Sequence, residues 1–168
     1  MLFSLLKDVA NQLVFDRTQA DVDYALILER SGLYTDDNIK GAYNISDRNR
    51  VGEAVNYIAG ALAYFGIFES RAGVLREDWD RHDIIKPRDN ARVLTSLDLL
   101  KWLLPFNKTA AVPESLDILT YQKANAIESI IFDSYNVLLR LWDSWLWPGD
   151  GYASDFDALN WQGWDDCN

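Results

Sequence analysis

The chain carries one cysteine, Cys167, so it cannot form an internal disulfide. Its fold therefore arises in a reducing compartment or needs no bridge. It carries one histidine, His82, and has no second histidine or neighbouring cysteine to complete a usual zinc site. A Ser-His-Asp triad would have to use that same histidine, and no G-x-S-x-G elbow accompanies it. Walker-type loops and dinucleotide fingerprints are missing as well. Residues 1–15 have an apolar character, but Lys7, Asp8, Asn11 and Gln12 interrupt it too often for a signal h-region or a membrane span. Positive charge is also scarce, with 16 Lys and Arg against 26 Asp and Glu and a formal charge of −10. Phosphate neutralisation is the main source of nucleic-acid affinity, so such a chain is a poor DNA or RNA binder and an equally poor partner for an anionic membrane. The expectation from these absences is a protein made in the cytoplasm that is not an enzyme and has no cofactor, metal, nucleic-acid or membrane partner.

What the chain does have is one design used three times. Gly41-Ala42-Tyr43-Asn44-Ile45, Asp83-Ile84-Ile85-Lys86-Pro87 and Asp117-Ile118-Leu119-Thr120-Tyr121 read as short extended entries into helices. Asn49-Arg50-Val51, Ala91-Arg92-Val93 and Asn125-Ala126-Ile127 follow at equal distance. Seven residues before each apolar anchor stands a start signal. Asn44 and Thr120 can accept a hydrogen bond from a first-turn N–H. Lys86 is a poor cap, but Pro87 suits the first helical position. From the anchors run apolar stripes in steps of four, three and four: Val51, Val55, Ile58, Leu62; Val93, Leu97, Leu100, Leu104; and Ile127, Ile131, Ser134, Leu138. The expected fold is all-α, with repeated amphipathic helix units at about residues 41–65, 83–104 and 117–146 inside a helical domain spanning 1–147.

Further elements are expected around this set. An amphipathic helix covers about residues 3–13. Another starts at Thr18 with a capping box closed by Asp21, buries Val22, Leu26 and Tyr24, and stops near Gly32. Gly52 and Gly60 mark close packing by a neighbouring helix. Residues 67–75 form a short hairpin around 70–73. Arg48, Arg50 and Arg92 pair with acids of an adjoining unit as exposed ion pairs, worth about 0–1 kcal/mol each.

Residues 148–168 form an irregular acidic and aromatic C-terminal arm. Residues 143–168 hold six Asp and no Lys or Arg, and five of the seven Trp lie at positions 142, 145, 147, 161 and 164. Each indole carries a large apolar area that seeks burial, so this arm docks on its own helices or on a neighbouring chain. Trp142, Trp145, Trp147, Tyr152, Phe156, Trp161 and Trp164 are the candidate interface residues. Stacking of Trp161, Trp164, Tyr152 and Phe156 on cell-wall sugars is the competing reading. Asp150, Asp155 and Asp157 depart from EF-hand spacing, and the pairs Asp36-Asp37, Glu77-Asp78 and Asp165-Asp166 read as solvated surface.

These segments resemble a family of minor structural proteins of phages and prophages of Gram-positive bacteria, usually associated with the virion tail at its baseplate or fibre end. The resemblance rests on residues 16–22, 40–55, Trp79-Asp80, 84–92 and 119–128, and is most specific in Lys40-Gly41-Ala42-Tyr43-Asn44 running into Asn49-Arg50-Val51. It implies a virion structural protein, a tail or baseplate component that mediates subunit assembly. Its implied partners are other tail or baseplate proteins and further copies of itself, in a trimer or ring. The spacer from Gly32 to Lys40 is short for that family. The chain from Trp147 onward does not resemble a larger carbohydrate-binding or fibre domain, so an adaptor role fits better than a receptor-binding tip. The two alternatives are a host-surface carbohydrate-binding module and an acidic inhibitor of a host nucleic-acid-binding protein.

Overall fold

A computed structural model describes residues 11–33, 39–64, 66, 74–103 and 110–146. Among them the chain is all-helical, with four helices and no strands: α1 (Gln19–Arg30), α2 (Ile45–Tyr64), α3 (Pro87–Leu103) and α4 (Tyr121–Leu146). The start signals act as their chemistry requires. The Asn44 side chain accepts from the Asp47 N–H while the Asp47 carboxylate accepts from the Asn44 N–H, a reciprocal cap. Thr120 accepts from the Lys123 N–H, and Pro87 is the first residue of α3. Gly66, with φ of +70°, ends the α2 region in the left-handed conformation that favours glycine.

Hydrogen bonds to the connectors fix the direction of the helices. Asn56 holds Leu75 and Asn49 holds Trp79, so residues 74–80 run back along α2 toward its start. Lys101 donates to the Ala110 carbonyl and Asn90 to Asp117, so residues 110–117 run back along α3 in the same way. Each return delivers the chain to the end from which it set out. As a result α2, α3 and α4 all begin at one end of the bundle. Residues 13–17 lie antiparallel to α4, with Val14 bonded to Glu128 and Arg17 to Asn125. Three helices thus share one direction, with an extended segment laid along each.

The core fills the space between the helices. Val51, Val55, Ile58 and Leu62 from α2, Val93, Leu97 and Leu100 from α3, and Ile127, Ile131 and Leu138 from α4 are all buried in one cluster. Ser134 is buried among them and donates to the Ile130 carbonyl one turn back, which satisfies its hydroxyl. Leu104 lies outside the described residues.

Other expectations fare differently. α1 has its capping box, but only Ala25 is buried on it, and Tyr24 is 60% exposed. Val22 is half-buried and Leu26 is exposed, because among the described residues no helix packs closely against α1. Gly52 does lie under a close neighbour, but that neighbour is the extended segment at 74–80 and not a helix: a Cβ there would stand 2.7 Å from the Arg76 carbonyl oxygen. Gly60 has nothing within 4 Å of a Cβ among the described residues and marks no contact there. Most of the expected helix at 3–13, and the hairpin tip at 70–73, lie outside the described residues.

Candidate functional site

Two features stand at the helix-start end, a buried charged clasp and an open groove. The clasp joins three distant parts of the chain. Arg17 reaches in from the extended segment, Asp47 and Arg50 come from the first turns of α2, and Glu128 comes from the third turn of α4. Arg17 Nη2 donates to Asp47 Oδ1 at 2.9 Å and to Glu128 Oε1 at 2.7 Å. Arg50 donates to Glu128 through Nη2 at 2.9 Å and Nε at 3.2 Å, and also to Asp47. Arg17 Nη1 satisfies the Val14 carbonyl. Two cations and two anions balance, and Arg17, Asp47 and Glu128 are all buried. Burial alone pulls the Arg50 guanidinium down, but the Glu128 and Asp47 carboxylates more than offset this and hold it above its ordinary range.

Tyr43 lies beside the clasp, with the Arg17 guanidinium 6.0 Å from its ring centroid. Burial pushes its phenol well above the ordinary range, and the nearby Glu128 and Asp47 carboxylates push the same way. This tyrosine stays neutral and is no source of phenolate chemistry. Asp47 and Arg50 also line a pocket of about 210 Å³ together with Asp16, Lys40 and Ser46. The clasp's carboxylates are consumed by arginines and backbone N–H groups, so its work is to pin the segment at 13–17 between α2 and α4.

Two amides perform matched tasks beside it. Asn125 accepts from the Arg17 N–H at 3.0 Å and donates to the Arg17 carbonyl at 2.8 Å. Asn49 accepts from the Trp79 N–H at 2.8 Å and donates to the Trp79 carbonyl at 3.0 Å. Each residue stands two before its helix's apolar anchor, and each replaces the lost backbone pairing of one extended residue. The third equivalent position is Ala91, which is exposed and has no amide to offer.

The groove, of about 920 Å³, opens where the helices begin. Tyr43, Asn44, Ile45 and Arg48 line it from the first entry, Ile85 and Asn90 from the second, and Leu116, Asp117 and Leu119 from the third, with Arg81 at its edge. Arg48 is 8% exposed and lies over the Trp79 ring, 4.6 Å from its centroid. Its Nη1 donates to Asn90 at 3.0 Å, while Nε and Nη2 have no hydrogen-bond partner among the described residues. Burial pulls its guanidinium below the ordinary arginine range. Next in sequence to groove residues, Ile84 is 81% exposed and Ile118 is 78% exposed, at matching offsets from Val93 and Ile127.

Of the candidate interface residues, Trp142 lies on α4 and is half-buried, and Trp145 lies on the same helix. Trp147, Tyr152, Phe156, Trp161 and Trp164 lie outside the described residues. His82 is exposed in a turn. Among the described residues no group of three metal-ligating side chains occurs, and no helix is long and apolar enough to cross a membrane. Arg50 does pair with an acid of another helix, but the pair is buried rather than exposed; Arg48 finds an amide and an indole instead. Sequence reasoning missed the clasp. The available signal was Glu128, a charge set among the apolar positions 124, 127, 130 and 131 of α4. Comparisons with protein-family models, curated proteins and solved structures give no match.

Proposed function

We propose that this chain is a structural component of a phage virion, at the tail or baseplate, and that it works by assembling with copies of itself and with neighbouring particle proteins. In this reading α2, α3 and α4, each with its extended entry, are three uses of one unit, and residues 148–168 are the arm that joins subunits. The observation that carries the reading is the pair of isoleucines, Ile84 and Ile118, standing almost fully exposed in the entries to α3 and α4, next in sequence to the groove residues Ile85, Asp117 and Leu119. Large apolar side chains held outward on a well-tied body suit an interface better than a lone surface.

The resemblance supports the same reading through the roles of its residues. Arg17, Asp47, Arg50, Asn125 and Glu128 all fall within the segments that resemble the phage family. Each ties elements together through hydrogen bonds between distant parts of the chain. A signature built of such residues specifies a scaffold. A closed ring or trimer is the usual solution for identical chains.

The test is mass spectrometry of purified particles with a cryo-EM map of the tail. The chain is expected among the virion proteins in several copies, and a chain lacking residues 148–168 is expected to remain helical and to be left out of the particle. Absence of the full chain from particles would sink the reading. A signal on a glycan array that depends on Trp161 and Trp164 would favour the carbohydrate-binding alternative.

A further inference from the structure

The groove at the helix starts has a composition that selects its occupant. Its walls are apolar at Ile85, Leu116 and Leu119, its lining carboxylate, Asp117, accepts from Asn90 and Ser115, and its buried cation is Arg48, two of whose N–H groups have no partner among the described residues. The starts of α2, α3 and α4 add the positive ends of three helix dipoles at the same place. Covered, unbonded N–H groups are costly to hold, and a small turn of the guanidinium toward a carboxylate relieves that cost through a forked pair. The complement is a segment carrying both carboxylates and large apolar side chains.

Residues 147–168 have that chemistry: Asp150, Asp155, Asp157, Asp165 and Asp166, no Lys or Arg, and three tryptophans. At about 1.5 Å per residue, the 26 residues of α4 carry its end about 39 Å from the groove. The segment therefore leaves the body at the end opposite the groove, where a second copy stacked in line presents its own helix starts. We propose that the groove is the docking site for residues 147–168 of a second copy, a head-to-tail contact that rests on the assembly reading above and gives it a location. Such a contact is heterologous, so copies stacked in line extend as an open stack, and a ring forms only where a rotation between copies closes it.

The test uses the full chain. Sedimentation of the parent is expected to show self-association that weakens with added salt. Ile85→Asp in the groove and Trp161→Ala/Trp164→Ala in the arm are each expected to weaken it by about tenfold or more, with unchanged circular dichroism. Combining all three changes should weaken it no further, because both lesions strike one contact. Mixing the groove variant with the arm variant should restore dimers, since each retains the half that the other lost. A photo-cross-linker at position 161, in a mixture of labelled and unlabelled chains, should attach to Ile85, Leu116 or Leu119 of the other copy. Cross-links within one copy, cross-links to another surface, or association indifferent to Ile85→Asp would each overturn the proposal. If such a result comes with normal incorporation of Ile85→Asp into particles, the groove falls and the assembly reading stands. If the parent chain is missing from particles, it is the assembly reading that falls.

Discussion

Two seams of this molecule solve one problem with different chemistry. In both, an extended segment lies along a helix and needs partners for backbone groups that helix formation cannot supply. Between α2 and α4 the segment at 13–17 is held by Asn125, by the buried Arg17, Asp47 and Glu128, and by the half-buried Arg50. Between α2 and α3 the segment at 74–80 is held by two amides, Asn49 and Asn56, with Trp79 between the Arg48 and Arg76 guanidiniums. The first seam concentrates charge where Arg17, Asp47 and Glu128 are buried, and the second relies on amide hydrogen bonds along a half-exposed segment. Buried ions are expensive unless every partner is present, so the first seam is all-or-none. Neutral bonds fail one at a time, so the second degrades gradually.

Glu128→Ala breaks the comparison most severely. It leaves Arg17 and Arg50 with only Asp47 between them in a buried site, and about 3–5 kcal/mol of stability should be lost. Urea unfolding followed by circular dichroism would measure it. If the loss is under about 1 kcal/mol, water reaches the clasp and the contrast between the seams is wrong.

Gly52→Ala strikes the second seam. The new Cβ meets the Arg76 carbonyl oxygen at 2.7 Å, a backbone atom that must move, and about 1–3 kcal/mol should be lost. Gly60→Ala, on the same helix and with nothing within 4 Å of the new Cβ among the described residues, should instead leave stability level or raise it by about 0.4–1 kcal/mol. Thermal melts of the two variants decide whether close approach or mere helical position matters.

How much of this was legible in the sequence follows from range. The helix starts at Asn44, Pro87 and Thr120, and the stripes from Val51, Val93 and Ile127, depend on neighbours within a few residues. Local periodicity therefore exposed them. The clasp joins residues 30 and 111 positions apart, so each of its charges read singly as a surface group. α1 failed for the opposite reason. Its local pattern promised burial of Leu26 and Tyr24, but burial needs a facing element, which a local pattern cannot supply. The amides at 49 and 125 were visible as a match of offset; only the returning segments show what the match is for.

That match predicts a smaller effect that separates the seams further. Asn49→Ala and Asn125→Ala each remove two hydrogen bonds from one extended residue, and each should cost about 1–3 kcal/mol. Asn125→Ala should cost more, because the backbone it abandons belongs to buried Arg17, and should lose its effect once Glu128 is already gone. Asn49→Ala should add to Glu128→Ala without such coupling. A double-mutant cycle on urea midpoints gives both answers, and equal coupling would mean that the two seams form one cooperative unit.

The mildest difference lies in acid. Each segment ends in a carboxylate that accepts from a residue three before it. Asp21 is held below its usual range by the Thr18 hydroxyl and N–H, and Asp83 by the Asp80 N–H and then by Arg76. A depressed folded value means that the charged form is favoured in the native state. The stabilisation is therefore present above the ordinary value of 3.8 and disappears as pH falls through the folded value. Asp21→Asn should flatten the acid limb of stability near the 13–17 seam, and Asp83→Asn near the other. The Asp83 effect should shrink with added salt, because Arg76 contributes through an exposed ion pair at 2.7 Å, whereas the Thr18 capping box is a local hydrogen-bonded ring that salt screens less. Hydrogen exchange at Trp79 and Arg17 between pH 3 and pH 5 would resolve the two, and the same salt sensitivity at both would remove the distinction.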